Sequence, residues 1–234
     1  MNEDESMKKI TNFIIGVTGP RGAGKTTLCR LLKEEFASTM VSTENFYVDK
    51  DRTERIFTYG EFSDYDYPTS IRYSALHDVL RNLRNNRPAP YHPFSRITEH
   101  VSETKVTVYP SKMILSEGSF LMHKPYVDYL IELLLYLDLP LEEQIKRRKE
   151  KEDQNPKYAK DEYLERFVAH SYKKFIEPIK KRKKFPIPKI IDASKPLSQV
   201  VDEARRLIYN NLPTINHIVP TEKVDQFGIL RSTN

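Results

Sequence analysis

A glycine-rich loop at residues 19–26 is the first segment whose residue types and spacing could do chemistry. It reads G-P-R-G-A-G-K-T and fits G-x-x-x-x-G-K-[ST], a pattern whose backbone N–H groups converge on phosphate oxygens. The lysine of such a loop contacts the β- and γ-phosphates, and the next hydroxyl enters the coordination shell of Mg²⁺. ATP and Mg²⁺ are therefore expected here. The predicted binding residues are Gly19, Arg21, Gly22, Ala23, Gly24, Lys25, Thr26 and Thr27, with Thr26 also a metal ligand.

A second chemical group is the carboxylate of Glu117, which follows the apolar run at residues 113–115. Ligands in open α/β sheets bind beside the carboxyl ends of the strands. We therefore expect Glu117 to help hold Mg²⁺, through water, or to orient the nucleotide.

The strands and helices that position these residues are predicted from alternating apolar runs and helical periodicities. Short β-branched runs predict buried strands, and apolar residues at helical spacing between them predict helices. This alternation favours an α/β P-loop fold with a parallel sheet of about five strands, covered by helices on both faces. The predicted strands are 13–17, 39–42, 113–115, 133–137 and 189–193, and the predicted helices are 24–36, 71–83, 141–152, 161–176 and 196–208.

Composition limits the classes that need to be considered. With 234 residues, 38% of them hydrophobic and 30% charged, the chain suits one soluble α/β domain. No apolar run approaches the roughly 20 residues of a membrane-spanning helix. The acidic start of the chain is unlike a secretory signal, and the single cysteine excludes an internal disulfide. We expect a cytoplasmic protein with no membrane partner.

Missing motifs weaken several alternatives to a kinase. The chain has no N-K-x-D run for guanine recognition and no L-S-G-G-Q of a transporter ATPase. Its only D-x-x-G, at residues 225–228, lies close to the C-terminus and far from any switch region. A GTPase and a transporter ATPase are therefore disfavoured.

Five separated segments, in the right order, resemble the uridine kinase and phosphoribulokinase family of P-loop kinases over residues 12–210. They read S-T-E-N-F-Y (42–47), Y-D-Y-P (65–68), R-P-A-P-Y (87–91), E-H with E-T-K-V-T-V (99–108) and L-S-E-G (115–118). The resemblance implies that Glu44 is the general base for the acceptor hydroxyl, although the family has Asp at this position. It implies that Asp66 binds ribose hydroxyls and that Tyr91 and His100 contact the acceptor. The basic residue that the family carries just after His100 is missing, and the alignment around Tyr91 needs an insertion.

The basic run at residues 145–151 resembles the arginine-bearing lid of the same family. Arg147 and Arg148 match its R-R pair, and Lys151 stands where another arginine is usual. We expect Arg148 to act in catalysis beside Glu44 and Lys25, and Arg147 and Lys151 to contact substrate. Lysine cannot supply the paired hydrogen bonds of a guanidinium, so the exchange at Lys151 weakens that contact. The expected domain is 1–211, with a lid at about 141–160 and a tail at 212–234.

The resulting hypothesis is an ATP-dependent kinase of a small-molecule hydroxyl, with uridine or cytidine first. Tyr47, Tyr65, Tyr67 and Tyr91 would suit a planar base. Nicotinamide riboside, a sugar phosphate and pantothenate are alternative acceptors, and a nucleotide-binding regulator without efficient transfer is a further class. Nucleic-acid binding by the basic cluster at residues 180–184 is the remaining, disfavoured alternative. The resemblance also raises the expectation of a homo-oligomer.

Overall fold

The computed structural model describes residues 11–52, 65–150 and 168–211. Its strands are β1 (Phe13–Thr18), β2 (Thr39–Ser42), β3 (Ala89–Tyr91), β4 (Phe94–Ser95), β5 (His100–Val101), β6 (Val106–Val108), β7 (Met113–Glu117), β8 (Leu133–Asp138) and β9 (Pro188–Asp192). Its α-helices are α1 (Lys25–Phe36), α2 (Tyr73–Arg84), α3 (Pro125–Asp128), α4 (Leu141–Glu150), α5 (Ala169–Ser171) and α6 (Leu197–Asn211). A π-helical turn (Tyr172–Ile176) and a 3₁₀ turn (Glu177–Lys181) follow α5.

A five-stranded parallel sheet in the order β2-β7-β1-β8-β9 forms the centre of the fold, as the sequence predicts. Successive residues of β1 face opposite sides of it, because side chains alternate along a strand. Ile14 belongs to the core layer that includes α2, whereas Ile15 and Val17 belong to the layer that includes α1 and α6. Helices therefore cover both faces, and the buried Cys29 lies in the second layer.

The carboxyl ends of the central strands meet at one edge of the sheet. Val17 of β1 and Ser42 of β2 both pair with Glu117 at the end of β7. The three loops that leave these strands are therefore neighbours. They are the phosphate loop, the 3₁₀ turn Thr43–Phe46 and the segment after Glu117.

Two antiparallel pairs, β3 with β6 and β4 with β5, were not predicted. Strands of two or three residues are too short to show a period of two in the sequence. Helix α4 begins at Leu141, as predicted, and is described up to Glu150. Residues 151–160 of the expected lid, part of the predicted helix 161–176 and the expected tail at 212–234 lie outside the described residues. None of the helices that the structure describes is long and apolar enough to span a membrane.

Candidate active site

The phosphate loop connects the end of β1 to the start of α1. Gly19, Gly22 and Gly24 all have positive φ angles, of 137°, 81° and 85°. A side chain at Gly19 would also overlap the carbonyl oxygen of Leu137. Glycine is the residue that adopts these conformations without steric cost, so the backbone can turn back over the helix N-terminus. The predicted residues Ala23 and Thr27 follow the same turn into α1.

Lys25 is the first residue of α1 and is buried. Its Nζ donates a hydrogen bond to the Pro20 carbonyl oxygen at 2.7 Å, inside the loop. Burial lowers the pKa of Lys25 to about 8, and the carboxylates of Glu117 and Glu44 oppose that shift. The ammonium group of Lys25 therefore lies inside the phosphate loop.

The two predicted metal ligands are in contact. Thr26 Oγ1 donates a hydrogen bond to Glu117 Oε1 at 3.2 Å. Burial raises the pKa of Glu117, and Lys25 and hydrogen bonds from Ser42 and Thr26 counteract it. A hydroxyl and a carboxylate at this distance form an oxygen donor set of the kind that Mg²⁺ prefers.

Glu44 lies in the 3₁₀ turn directly after β2. The turn begins with the Ser42 hydroxyl, which accepts a hydrogen bond from the Glu44 backbone N–H at 3.3 Å. Arg96 Nη2 lies 2.6 Å from Glu44 Oε2. Burial favours the neutral acid, but Arg96, Arg21 and Lys25 together lower the pKa of Glu44. The carboxylate is therefore ionised at neutral pH and able to accept a proton.

Asp66 is only 3% exposed and is bound by two guanidinium groups. Arg148 of α4 contacts both carboxylate oxygens, with distances of 3.4 Å from Nη1 and 3.0 Å from Nη2. The second group is Arg21 of the phosphate loop, whose Nε forms an ion pair with Asp66 Oδ1. The predicted ribose-binding acid and the predicted catalytic arginine are thus partners in this structure.

Aromatic side chains pack together near Glu44 and Asp66. Tyr47 and Tyr65 have ring centroids 5.1 Å apart, and Phe94 of β4 packs against both. Tyr91 stacks on Phe46 with centroids 5.0 Å apart, and its hydroxyl accepts a hydrogen bond from Asn45 Nδ2 at 3.3 Å. Tyr47 and Tyr91 therefore lie beside the turn that carries Glu44, whereas Tyr67 packs against His170 and Phe175.

The remaining predicted contacts lie further out. His100 is half exposed, and its Nδ1 is 3.7 Å from Asp49 Oδ1. Arg147 pairs with Glu143 at 2.9 Å and donates to the Gly22 carbonyl oxygen at 3.3 Å, so α4 rests against the phosphate loop. Lys151 lies outside the described residues.

The profile of the Phosphoribulokinase / Uridine kinase family matches residues 14–194. The chain belongs to this family. Membership identifies it as a P-loop kinase, a phosphotransferase whose acceptor is a hydroxyl group of a small molecule.

Relatives of this chain include a uridine kinase from Chlamydia pneumoniae, which is 32% identical over 72% of this chain and 78% of the relative. A uridine kinase from Halobacterium salinarum is 28% identical over 76% of this chain and 81% of the relative. A crystal structure from Silicibacter sp. TM1040, described as a candidate fructose transport system kinase, has a TM-score of 0.58 at 15% identity. It covers 76% of this chain and 88% of that one, which shows a shared fold.

Sequence reasoning missed Arg96, which forms an ion pair with Glu44, the proposed base. The family pattern carries a basic residue just after the histidine, and this chain has none there. Arg96 precedes His100 by four residues, in the turn that joins β4 to β5. The missing basic residue was a sequence signal, but Arg96 and Lys105 lie at similar distances on either side of His100, so the sequence did not single out Arg96.

Proposed function

We propose that the protein transfers the γ-phosphate of ATP to a hydroxyl group of a nucleoside, with uridine or cytidine the first candidates. The observation that carries this proposal is the position of Glu44. It is an ionised carboxylate on the turn after β2, at the same sheet edge as Lys25, Thr26 and Glu117. A base on one side of a phosphate-binding loop is the arrangement that phosphoryl transfer to a hydroxyl requires.

In this proposal the phosphate loop binds the triphosphate through its backbone N–H groups, and Lys25 contacts the β- and γ-phosphates. Thr26 and Glu117 would hold Mg²⁺, which supplies positive charge to the phosphate oxygens when bound. Glu44 accepts the proton of the acceptor hydroxyl as that oxygen bonds to the γ-phosphorus, while the bond from the γ-phosphorus to the β–γ bridging oxygen breaks and ADP leaves.

The acceptor would bind beside Tyr47, Tyr91 and Phe94, with its ribose hydroxyls on Asp66. Aromatic rings suit a planar base, and a fixed carboxylate suits neighbouring hydroxyls. The uridine kinases among the relatives support a nucleoside as the first choice. We assign His100 and Arg147 to the edge of the same site, and residues 1–211 to one kinase domain in which α4 begins the lid.

The test is acceptor-dependent ADP release from Mg-ATP with a panel of nucleosides, nicotinamide riboside, pantothenate and sugar phosphates. We expect turnover with uridine or cytidine and a loss of about 100-fold or more in kcat for Glu44→Gln. Glu34→Gln, which neutralises an exposed carboxylate on α1, is the matched control and should leave kcat unchanged. Turnover with another acceptor would change the substrate, and ATP binding without turnover would favour a regulator.

A further inference from the structure

Arg21 lies within the phosphate-binding motif, yet its side chain contacts the acceptor side of the site. Its Nη2 donates hydrogen bonds of 2.8 Å to the Tyr47 hydroxyl and of 2.8 Å to the Tyr65 carbonyl oxygen. Its Nε pairs with Asp66. These three partners all come from the two segments that we assign to acceptor binding.

The phosphate-binding function of the loop does not need this side chain. Backbone N–H groups, Lys25 and the start of α1 supply the phosphate contacts in such loops. The Arg21 side chain is 20% exposed, so most of it is enclosed by its partners. A planar guanidinium fixes the relative positions of several acceptors, because its five N–H groups diverge in a fixed geometry.

Arg21 contacts Asp66 and Tyr47, two groups that would orient a bound acceptor. Asp66 is nearly fully buried and is held by Arg21 from the phosphate loop and by Arg148 from α4. The Tyr47 hydroxyl accepts a hydrogen bond from Arg21, and the Tyr47 ring packs against Tyr65 and Phe94. A change at Arg21 would therefore loosen both the charged and the aromatic side of the acceptor space.

We propose that Arg21 is a positioning residue for the acceptor, which acts through Asp66 and Tyr47 and not through the phosphates of the nucleotide. This inference rests on the proposed kinase function. It reassigns a residue that the motif alone places in the nucleotide site, and it makes the phosphate loop of this chain part of the acceptor pocket.

The first test compares the two substrates in Arg21→Met. The KM of the acceptor should rise about tenfold or more, because a charge-assisted hydrogen bond contributes about 1.4 kcal/mol or more. The Kd of a non-hydrolysable ATP analogue should change less than about twofold. Arg21→Lys, which keeps the charge but not the planar geometry, should lie between wild type and Arg21→Met. Arg30→Met, on the exposed face of α1, is the matched control.

A double-mutant cycle tests whether Arg21 acts through Asp66. In the Asp66→Asn background, Arg21→Met should add less than about threefold to the acceptor KM, because effects of coupled residues are not additive. Full additivity would overturn the inference. So would a weakened Kd of the ATP analogue with an unchanged acceptor KM, which is the pattern of a phosphate contact.

The outcomes separate this inference from the proposed function. If wild type turns over no acceptor, the proposed function fails, and the ATP-analogue Kd of Arg21→Met still decides whether Arg21 contacts phosphate. If wild type is active and the Arg21 variants lose affinity for ATP, only the inference fails. If Arg21→Met does not fold, as judged by circular dichroism, Arg21→Lys alone gives the same comparison of the two affinities.

Discussion

Arg96 is the side chain with the largest charge effect on Glu44, from a distance of 2.6 Å. Its guanidinium favours the ionised carboxylate and so lowers the pKa of Glu44. Replacing it with alanine should raise that pKa. A base must be ionised to accept a proton, so the acidic limb of the kcat profile should move to higher pH in Arg96→Ala. The profile measured from pH 4 to 8 checks this, with Arg30→Ala as control; an unmoved limb would show that another group governs it.

A second prediction concerns the protonation of Lys25 when ATP binds. Its pKa is about 8 in the free protein because of burial, and phosphate oxygens beside it would raise that pKa. The protein should therefore take up a proton when it binds ATP above about pH 8. Its affinity for ATP should fall as the pH rises further. Calorimetry in buffers of different ionisation enthalpy measures the uptake. Proton release, or an affinity that is constant from pH 7 to 10, would contradict the assignment.

The turn after β2 and the segment after β7 are fitted closely to each other. A side chain at Gly118 would overlap the side chain of Thr43, the first residue of the turn that carries Glu44. We expect Gly118→Ala to lower the free energy of unfolding by about 1–3 kcal/mol, as overpacking does. It should also reduce kcat, because the turn must shift.

Urea unfolding and kcat measured together check this prediction. Thr43→Gly removes the three atoms that would lie nearest to the new methyl group. It should therefore restore part of both quantities in the Gly118→Ala background. A Gly118→Ala protein with wild-type stability and activity would show that the two segments are not closely coupled.

The strands and helices show how much of the structure the sequence could predict. The five strands of the sheet and the helices beside them follow from runs of apolar residues, and the observed bounds differ by only a few residues. Side-chain partners do not follow from such patterns. The motif places Arg21 with the phosphates, and only the tertiary structure pairs it with Asp66, 45 positions along the chain. The pairing of Arg96 with Glu44, 52 positions earlier in the chain, is likewise a long-range contact. The two antiparallel pairs were missed because their strands are too short to show a pattern.

For the molecule as a whole, the basic cluster at residues 180–184 contributes two ion pairs within the fold. Lys180 Nζ lies 2.6 Å from Asp138 Oδ2, at the end of β8. Arg182 Nη1 lies 2.6 Å from Asp128 Oδ2, in α3. Two of the five cations therefore join the segment after α5 to β8 and to α3.

This arrangement predicts that the cluster contributes to stability. Burial raises the pKa of Asp128 and Arg182 opposes that shift, so removing the arginine leaves a buried carboxylate without this cation. Arg182→Ala should lower the free energy of unfolding by about 2 kcal/mol or more, since the bond is charge-assisted and partly buried. Lys183→Ala, on an exposed neighbour, should change it by less than about 0.5 kcal/mol. Urea denaturation of both variants checks this prediction. A loss of unfolding free energy in Arg182→Ala alone would show that the Arg182–Asp128 pair stabilises the fold. Equal, small losses in both variants would show that these side chains are solvated surface groups.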